Sequence, residues 1–285
     1  MKERLKTALG AVREGAQAVD NLAHLLRSRR VGPRAITVAL GEVRESCLEL
    51  GAALSTLEGE LCTKLSGAPD AEGLARRLLA QGAACARKVA SQLDVEGPSN
   101  ARRRLALEDL ARRSAGKLEA VIFLAELLVA AASFQAVPLD IHDALLELSG
   151  PPARGSAAKG GGARVRASVS LVGGRSFAGD ARVVAGLLLL AVGRVAREGF
   201  TNPSIAVTGS PGGGVEVRVS GETDLEGRGD PGVDRLELEI PLEEEIPLGG
   251  DVLREAAALA GVAVAVREAP LRIALVFSEA GGAGS

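Results

Sequence analysis

Apolar residues recur at three- and four-residue steps over residues 1–135 of this chain, and at two-residue steps only beyond residue 163. In the first segment Leu5, Ala8, Leu9, Val12, Ala16, Val19, Leu22 and Leu26 fall on one side of a helix with about 100° between residues. Val31-Gly32-Pro33 ends that pattern. A second segment carries Ile36, Leu40, Val43, Cys47, Leu50, Leu54, Leu57 and Leu61 and stops at Ser66-Gly67-Ala68-Pro69. A third places Leu74, Leu78, Gly82, Cys85 and Val89 on one stripe and ends near Gly97-Pro98. The fourth starts behind Ser99 or Asn100, both capping residue types, and runs through Leu107, Leu110, Leu118, Val121, Leu124 and Leu128. Four long amphipathic helices joined by short Gly/Pro turns predict an antiparallel helical bundle. Helices of this length leave open a homodimer in which part of the apolar stripe is shared with a second chain.

The pattern changes after Phe134. Val137-Pro138 is expected to break the helix, Asp140 to Leu148 to form a short one, and the Gly/Pro-rich stretch through Gly160-Gly161-Gly162 to serve as a flexible connection across residues 136–162. Beyond it Val165 to Leu171 alternates as a strand, and Asp180 to Glu198 is strongly helical. Ile205-Ala206-Val207, Val215 to Val219 and Leu236 to Ile240 read as strands. A helix from Asp251 to Ala260 and strands near Val262–Val266 and Leu271–Phe277 complete the set. That order predicts an α+β chain: the bundle, then a two-layer α/β sandwich over residues 163–285.

Composition narrows the chemistry. Aromatic residues are 2% of the chain, with no Trp or Tyr, so bases have almost no stacking platform, and a net charge of −2 gives no global pull toward nucleic acid or anionic lipid. The basic run Arg27, Arg29, Arg30 and Arg34 reads most simply as a solvated helix end. Cys47, Cys62 and Cys85 have no metal-ligand spacing, and their odd number argues against a disulfide framework, which fits a cytoplasmic protein with no metal site. The apolar run from Ala120 to Phe134 is interrupted by Glu126 and is too short for membrane insertion. The glycine clusters lack the Lys-Ser/Thr partner of a phosphate-binding loop, and Ser170, Ser176 and Ser210 sit in no nucleophile pattern.

One segment points to a family. Leu248-Gly249-Gly250 opens a helix that closes on Gly261 and is followed at once by Val262-Ala263-Val264-Ala265-Val266. Upstream lie Val137-Pro138-Leu139-Asp140-Ile141-His142, then Phe177-Ala178-Gly179-Asp180 before the long helix that ends at Gly199, and then a hairpin. In order and spacing, residues 137–278 resemble the ATPase domain of sensor histidine kinases and its superfamily, which includes gyrase, a heat-shock chaperone and a mismatch-repair ATPase. The resemblance implies a sandwich of histidine-kinase ATPase type.

It also implies where nucleotide chemistry should be, and there the sequence departs from the family. The family holds magnesium and phosphates with an asparagine pair near the end of its central helix; this chain offers Leu189, Leu190, Gly193 and Arg194. Leu and Gly carry no side-chain oxygen for a hard cation. Gly221 falls where the family's adenine-reading aspartate would sit, with Asp224 three residues on. Glu243-Glu244-Glu245 stands near the missing lid and repels phosphate. The expectation is a retained fold with no ATP, no metal and no other cofactor; the weaker alternative is ATP held through Asp224 and Asp180.

Catalysis, if any, is then expected at a histidine. His24 projects nearly opposite Leu22 and Leu26, beside Asp20 and Arg27, and is expected to be exposed on the bundle. That is what a phosphoacceptor imidazole needs, and a neighbouring carboxylate can hold its tautomer. Leu25 follows it, whereas phosphoacceptor boxes of kinase type place an acid there. His142 precedes Asp143 beside an apolar stripe and is read as a surface residue. The resemblance therefore implies an inactive histidine-kinase-like signalling or scaffold protein of a bacterial two-component pathway. Its partners would be proteins such as receiver domains. The alternative is a histidine phosphotransferase using His24, and a third reading is an anti-sigma or switch-type regulator.

Overall fold

The computed structural model describes residues 2–28, 30–93, 101–149, 164–172, 176–200, 202–210, 214–221, 234–241, 249–268 and 271–278. Four long helices come first: α1 (Lys2–Arg27), α2 (Pro33–Lys64), α3 (Pro69–Leu93) and α4 (Ala101–Ala131). Gly32 caps α2 in extended conformation and Pro33 opens it, where the missing N–H costs nothing. The expected caps Ser99 and Asn100 of α4 lie outside the described residues. The chain divides into two compact units, with the boundary inside α4 between Glu126 and Leu127.

In the first unit the contacts run antiparallel around the bundle. A Cβ on Gly15 of α1 would lie 3.0 Å from Leu50 of α2, and one on Gly82 of α3 would lie 3.2 Å from Val121 of α4 and 3.4 Å from Leu54 of α2. Further along, the Cys85 thiol donates to the Ser114 carbonyl at 3.8 Å. The apolar stripes are covered by the chain's own helices: Val12, Val19, Leu54, Leu57, Leu61, Leu74, Val89 and Leu118 are almost wholly buried. Glu126, the charge inside the apolar run of α4, accepts a hydrogen bond from Arg13 Nη2 of α1. No helix among the described residues is long and apolar enough to cross a membrane.

The second unit is a mixed sheet with helices packed on it. β1 (Val137–Asp140) leads into α5 (Ile141–Ser149), then β2 (Arg164–Val172), β3 (Ser176–Gly179) and α6 (Ala181–Arg197). β4 (Ser204–Gly209), β5 (Val215–Ser220), β6 (Asp234–Pro241), α7 (Gly249–Leu259), β7 (Ala263–Glu268) and β8 (Leu271–Phe277) follow. Six strands take the order β6-β2-β4-β5-β8-β7, and β1 pairs with β3 in a separate two-stranded sheet. Only β2 and β4 run parallel within the larger sheet; its other pairs are antiparallel. One side-chain parity of β2, β5 and β8 is buried, and α6 lies against β5 and β8 with α5 and α7 beside it. This is the α+β architecture the sequence predicts.

One element differs from expectation. Val137-Pro138 does end the bundle, but Val137–Asp140 is a strand in register with Ser176–Gly179. Four residues are too few for alternation to be visible, and Pro138 is tolerated because β1 pairs on one side only, with β3. Of the connection expected across residues 136–162, the first part forms β1 and α5, and residues 150–162 lie outside those described.

Candidate functional site

The central helix α6 begins with Asp180, whose side chain accepts from the Arg182 amide at 3.0 Å. Asp180 is thereby a helix cap, also 3.5 Å from the Arg182 guanidinium, and so is engaged in structure rather than turned to a ligand. Along α6, Val183, Val184, Leu187, Leu188, Ala191, Val192 and Val195 are buried, which presents Leu190 and Arg194 along a flank of the helix. Gly199 ends the run with φ +96°, a value that favours glycine.

The helix α7 begins at Gly249, and its first turn meets that flank. Leu190 Cδ2 lies 3.9 Å from where a Cβ on Gly249 would be, and an Arg194 nitrogen 3.5 Å from one on Gly250. Arg194 Nη2 also donates to Glu268 of β7 at 2.8 Å. The end of α7 follows the Schellman pattern: the Val262 amide donates to the Ala257 carbonyl at 2.8 Å and the Gly261 amide to Ala258 at 3.2 Å, with Gly261 at φ +67°. The glycine close and the strand after it thus form as the sequence suggested, and Gly249 and Gly250 are the first residues of the helix. Leu248 lies outside the described residues.

At the end of β5 the position expected for an adenine-reading carboxylate is closed. A Cβ on Gly221 would stand 2.2 Å from Phe200 Cγ, so the aromatic ring holds the space any side chain there would need. Phe200 was not singled out from sequence. The available signal was an aromatic residue directly behind the helix-ending Gly199, in a chain with 5 Phe in all. Asp224 and Glu243-Glu244-Glu245 lie outside the described residues. Among the described residues, the side chains beside the first turn of α7 include Leu190, a hydrocarbon, and Arg194, a cation paired with Glu268; neither supplies an oxygen ligand for a hard cation.

His24 stands apart from that turn, on α1. Its side chain is 45% exposed, and Nε2 lies 3.5 Å from Asp20 Oδ2 one helical turn back. Leu22 and Leu26 are both buried at 2% exposure, so the imidazole projects away from the core as its spacing predicts. Gln17 donates to Asn21 at 3.2 Å on the same helix. His142 is half-buried at the start of α5, and its backbone amide donates to Asp140 Oδ1 at 2.8 Å. Asp140 is therefore the cap of that short helix.

Cys47 is buried, and burial first, with Cys85 nearby second, pushes its thiol up to about 11. A thiol of that kind is not a nucleophile at neutral pH. No group of three or more His, Cys, Asp or Glu side chains suited to a metal ion occurs among the described residues. No protein-family model matches the chain, and no curated protein matches it in sequence.

Proposed function

We propose that this chain is a catalytically inactive histidine-kinase-like protein that acts by binding signalling or scaffold proteins in a two-component-type pathway. The observation that carries the reading is the pairing of α6 with the first turn of α7. Leu190 and Arg194 stand beside Gly249 and Gly250, where a nucleotide site would need oxygen ligands and open space. Calorimetry of the full chain with Mg-ATP is expected to give no binding heat. Binding at micromolar concentration would overturn the inactive pocket.

The second reading is phosphotransfer through His24. Its specific support is an exposed imidazole beside Asp20, the arrangement in which a carboxylate orients the ring while the other nitrogen stays accessible. Incubation with phosphorylated receiver domains would then label the wild type and leave His24→Ala unlabelled. Absence of transfer to the wild type sinks the reading for the receivers used.

A further inference from the structure

The two edges of the six-stranded sheet are built differently. At one edge β6 carries Glu237 and Glu239, both exposed, and ends on Pro241. Charges and a proline are the usual guards of an edge against further pairing. At the other edge β7 reads Ala263-Val264-Ala265-Val266 before its first charge and contains no proline. It pairs with β8 on one side and with no strand on the other among the described residues. Alternate residues of such an edge direct their backbone N–H and C=O groups outward, in a row that matches another extended chain.

The side chains of β7 are left partly open as well. Val264 and Val266 stand in register with Leu275 and Ile273 of β8. Those two are wholly buried on the helix-covered face, whereas the valines are half-buried and the alternate Ala263 and Ala265 are exposed. Both ends of the strand are fixed. The Val262 amide donates to the Ala257 carbonyl of α7 at 2.8 Å, and Arg194 Nη2 donates to Glu268 at 2.8 Å. The edge is therefore held extended before any partner arrives, which lowers the ordering cost of pairing.

We propose that β7 is a self-association edge, on which a second copy of this chain pairs its own β7 antiparallel, centred on Ala265, so that two sheets become one. The occupant follows from self-complementarity. Directly opposed residues must share parity if the helix-covered faces of both sheets are to lie on one side, so the two-fold axis passes through a residue. Centred on Ala265, Val264 faces Val266 of the other copy, Ala263 faces Arg267, and no like charges oppose one another. Each half-buried valine is then covered by the other copy. Centring on Val266 would set Val264 against Glu268, and centring on Val264 would call on Val262, whose amide already bonds Ala257. A strand of six residues per copy is an interface smaller than the ~1,200 Å² of stable complexes, so monomer and dimer exchange with concentration. The proposal does not depend on the partner-binding reading.

The test is sedimentation equilibrium of the full chain over a concentration series, in which the wild type is expected to pass from monomer to dimer. Ala265→Lys and Ala265→Glu, both at an exposed position, should each weaken association about tenfold by setting like charges face to face, and an equimolar mixture of the two should restore it. Leu48→Lys on α2, at a side chain that is 57% exposed, should change it by less than about twofold. With oxidised glutathione as oxidant, Ala265→Cys should form a disulfide-linked dimer, whereas Ala263→Cys, which faces Arg267 and not its own counterpart, should not. Wild type in the same oxidant is the blank for Cys47, Cys62 and Cys85. Circular dichroism checks that each variant folds. A monomer at every concentration would overturn the proposal and leave the edge to a strand of another protein. A dimer indifferent to Ala265→Lys, a mixture that does not re-associate, a dimer lost in Leu48→Lys, or equal cross-linking of Ala263→Cys would overturn it too. None of these measurements contains nucleotide or receiver, so their failure leaves the partner-binding reading to the Mg-ATP experiment.

Discussion

The ring of Phe200 lies against Gly221 so closely that a Cβ added to the glycine would stand 2.2 Å from Phe200 Cγ and 2.3 Å from both Cδ carbons. Cγ is the ring atom nearest the backbone and moves only when χ1 changes, so a flip of the ring does not relieve the overlap. A side chain at this position and the ring in its present rotamer exclude each other.

Placing a carboxylate there is therefore expected to fail. Gly221→Asp should cost about 1–3 kcal/mol through overpacking and should not create Mg-ATP binding. With Phe200→Ala in the same chain the overlap is gone, and urea denaturation of the cycle should give a coupling of about 0.5–3 kcal/mol. Additive effects would mean that the ring is not the obstacle.

Arg104 is expected to hold the end of α1. Its guanidinium donates to the Leu26 carbonyl, in the last turn of α1 where no helical donor follows, and to the Ser28 carbonyl just beyond it, which also accepts from the Val31 amide at 3.5 Å. Arg104→Met keeps the stem and removes the donors, at a cost of about 1–3 kcal/mol by chemical denaturation. Amide exchange in the last turn of α1 should accelerate. Arg104→Lys should rescue only part, because one ammonium cannot reproduce the two-pronged geometry. Stability unchanged in Arg104→Met would show that water replaces the guanidinium.

Cys47 predicts how the fold responds to alkali. Burial holds its thiol at about 11, above the ordinary 9.0, so above pH 9.0 the unfolded chain loses that proton first. Fewer protons on the unfolded state mean that stability falls as pH rises from 9.0 toward 11. Cys47→Ala should lower stability at neutral pH by about 1 kcal/mol through lost packing and flatten the decline in that alkaline window. Thermal unfolding across that window checks both. A wild-type midpoint that does not fall faster than the variant's would refute the assignment.

Much of the bundle is legible from local pattern. Leu22 and Leu26 face the core and His24 faces away because helical phase depends only on the separation of residues along the chain. The same holds for Gly199 and Gly261, whose positive φ values end α6 and α7 where the chain offers glycine. The partner of Arg13 is different in kind. Glu126 looks like an interruption of an apolar run until α4 is laid beside α1. Arg104 and Phe200 are likewise silent in sequence, since a lone arginine near a helix start and a lone phenylalanine after a turn have many uses.

The identity of the six strands of the larger sheet and the order in which they occur along the chain follow from alternation; the four-residue β1 and β3 do not. Which of the six are neighbours does not follow from it. That β2 runs parallel to β4, separated from it in sequence by β3 and α6, is a choice among pairings that alternation leaves equivalent. The chain alone determines that no oxygen-bearing side chain stands at Leu190, Gly193 or Gly221. Only the packing of α6 against α7, and of Phe200 over Gly221, decides that Leu190 and Arg194 meet the α7 turn and that an aromatic ring takes the space beside Gly221. The physical reason is range: helical phase and residue chemistry are properties of neighbours in sequence, whereas a closed or open cavity is a property of surfaces brought together from distant parts of the chain.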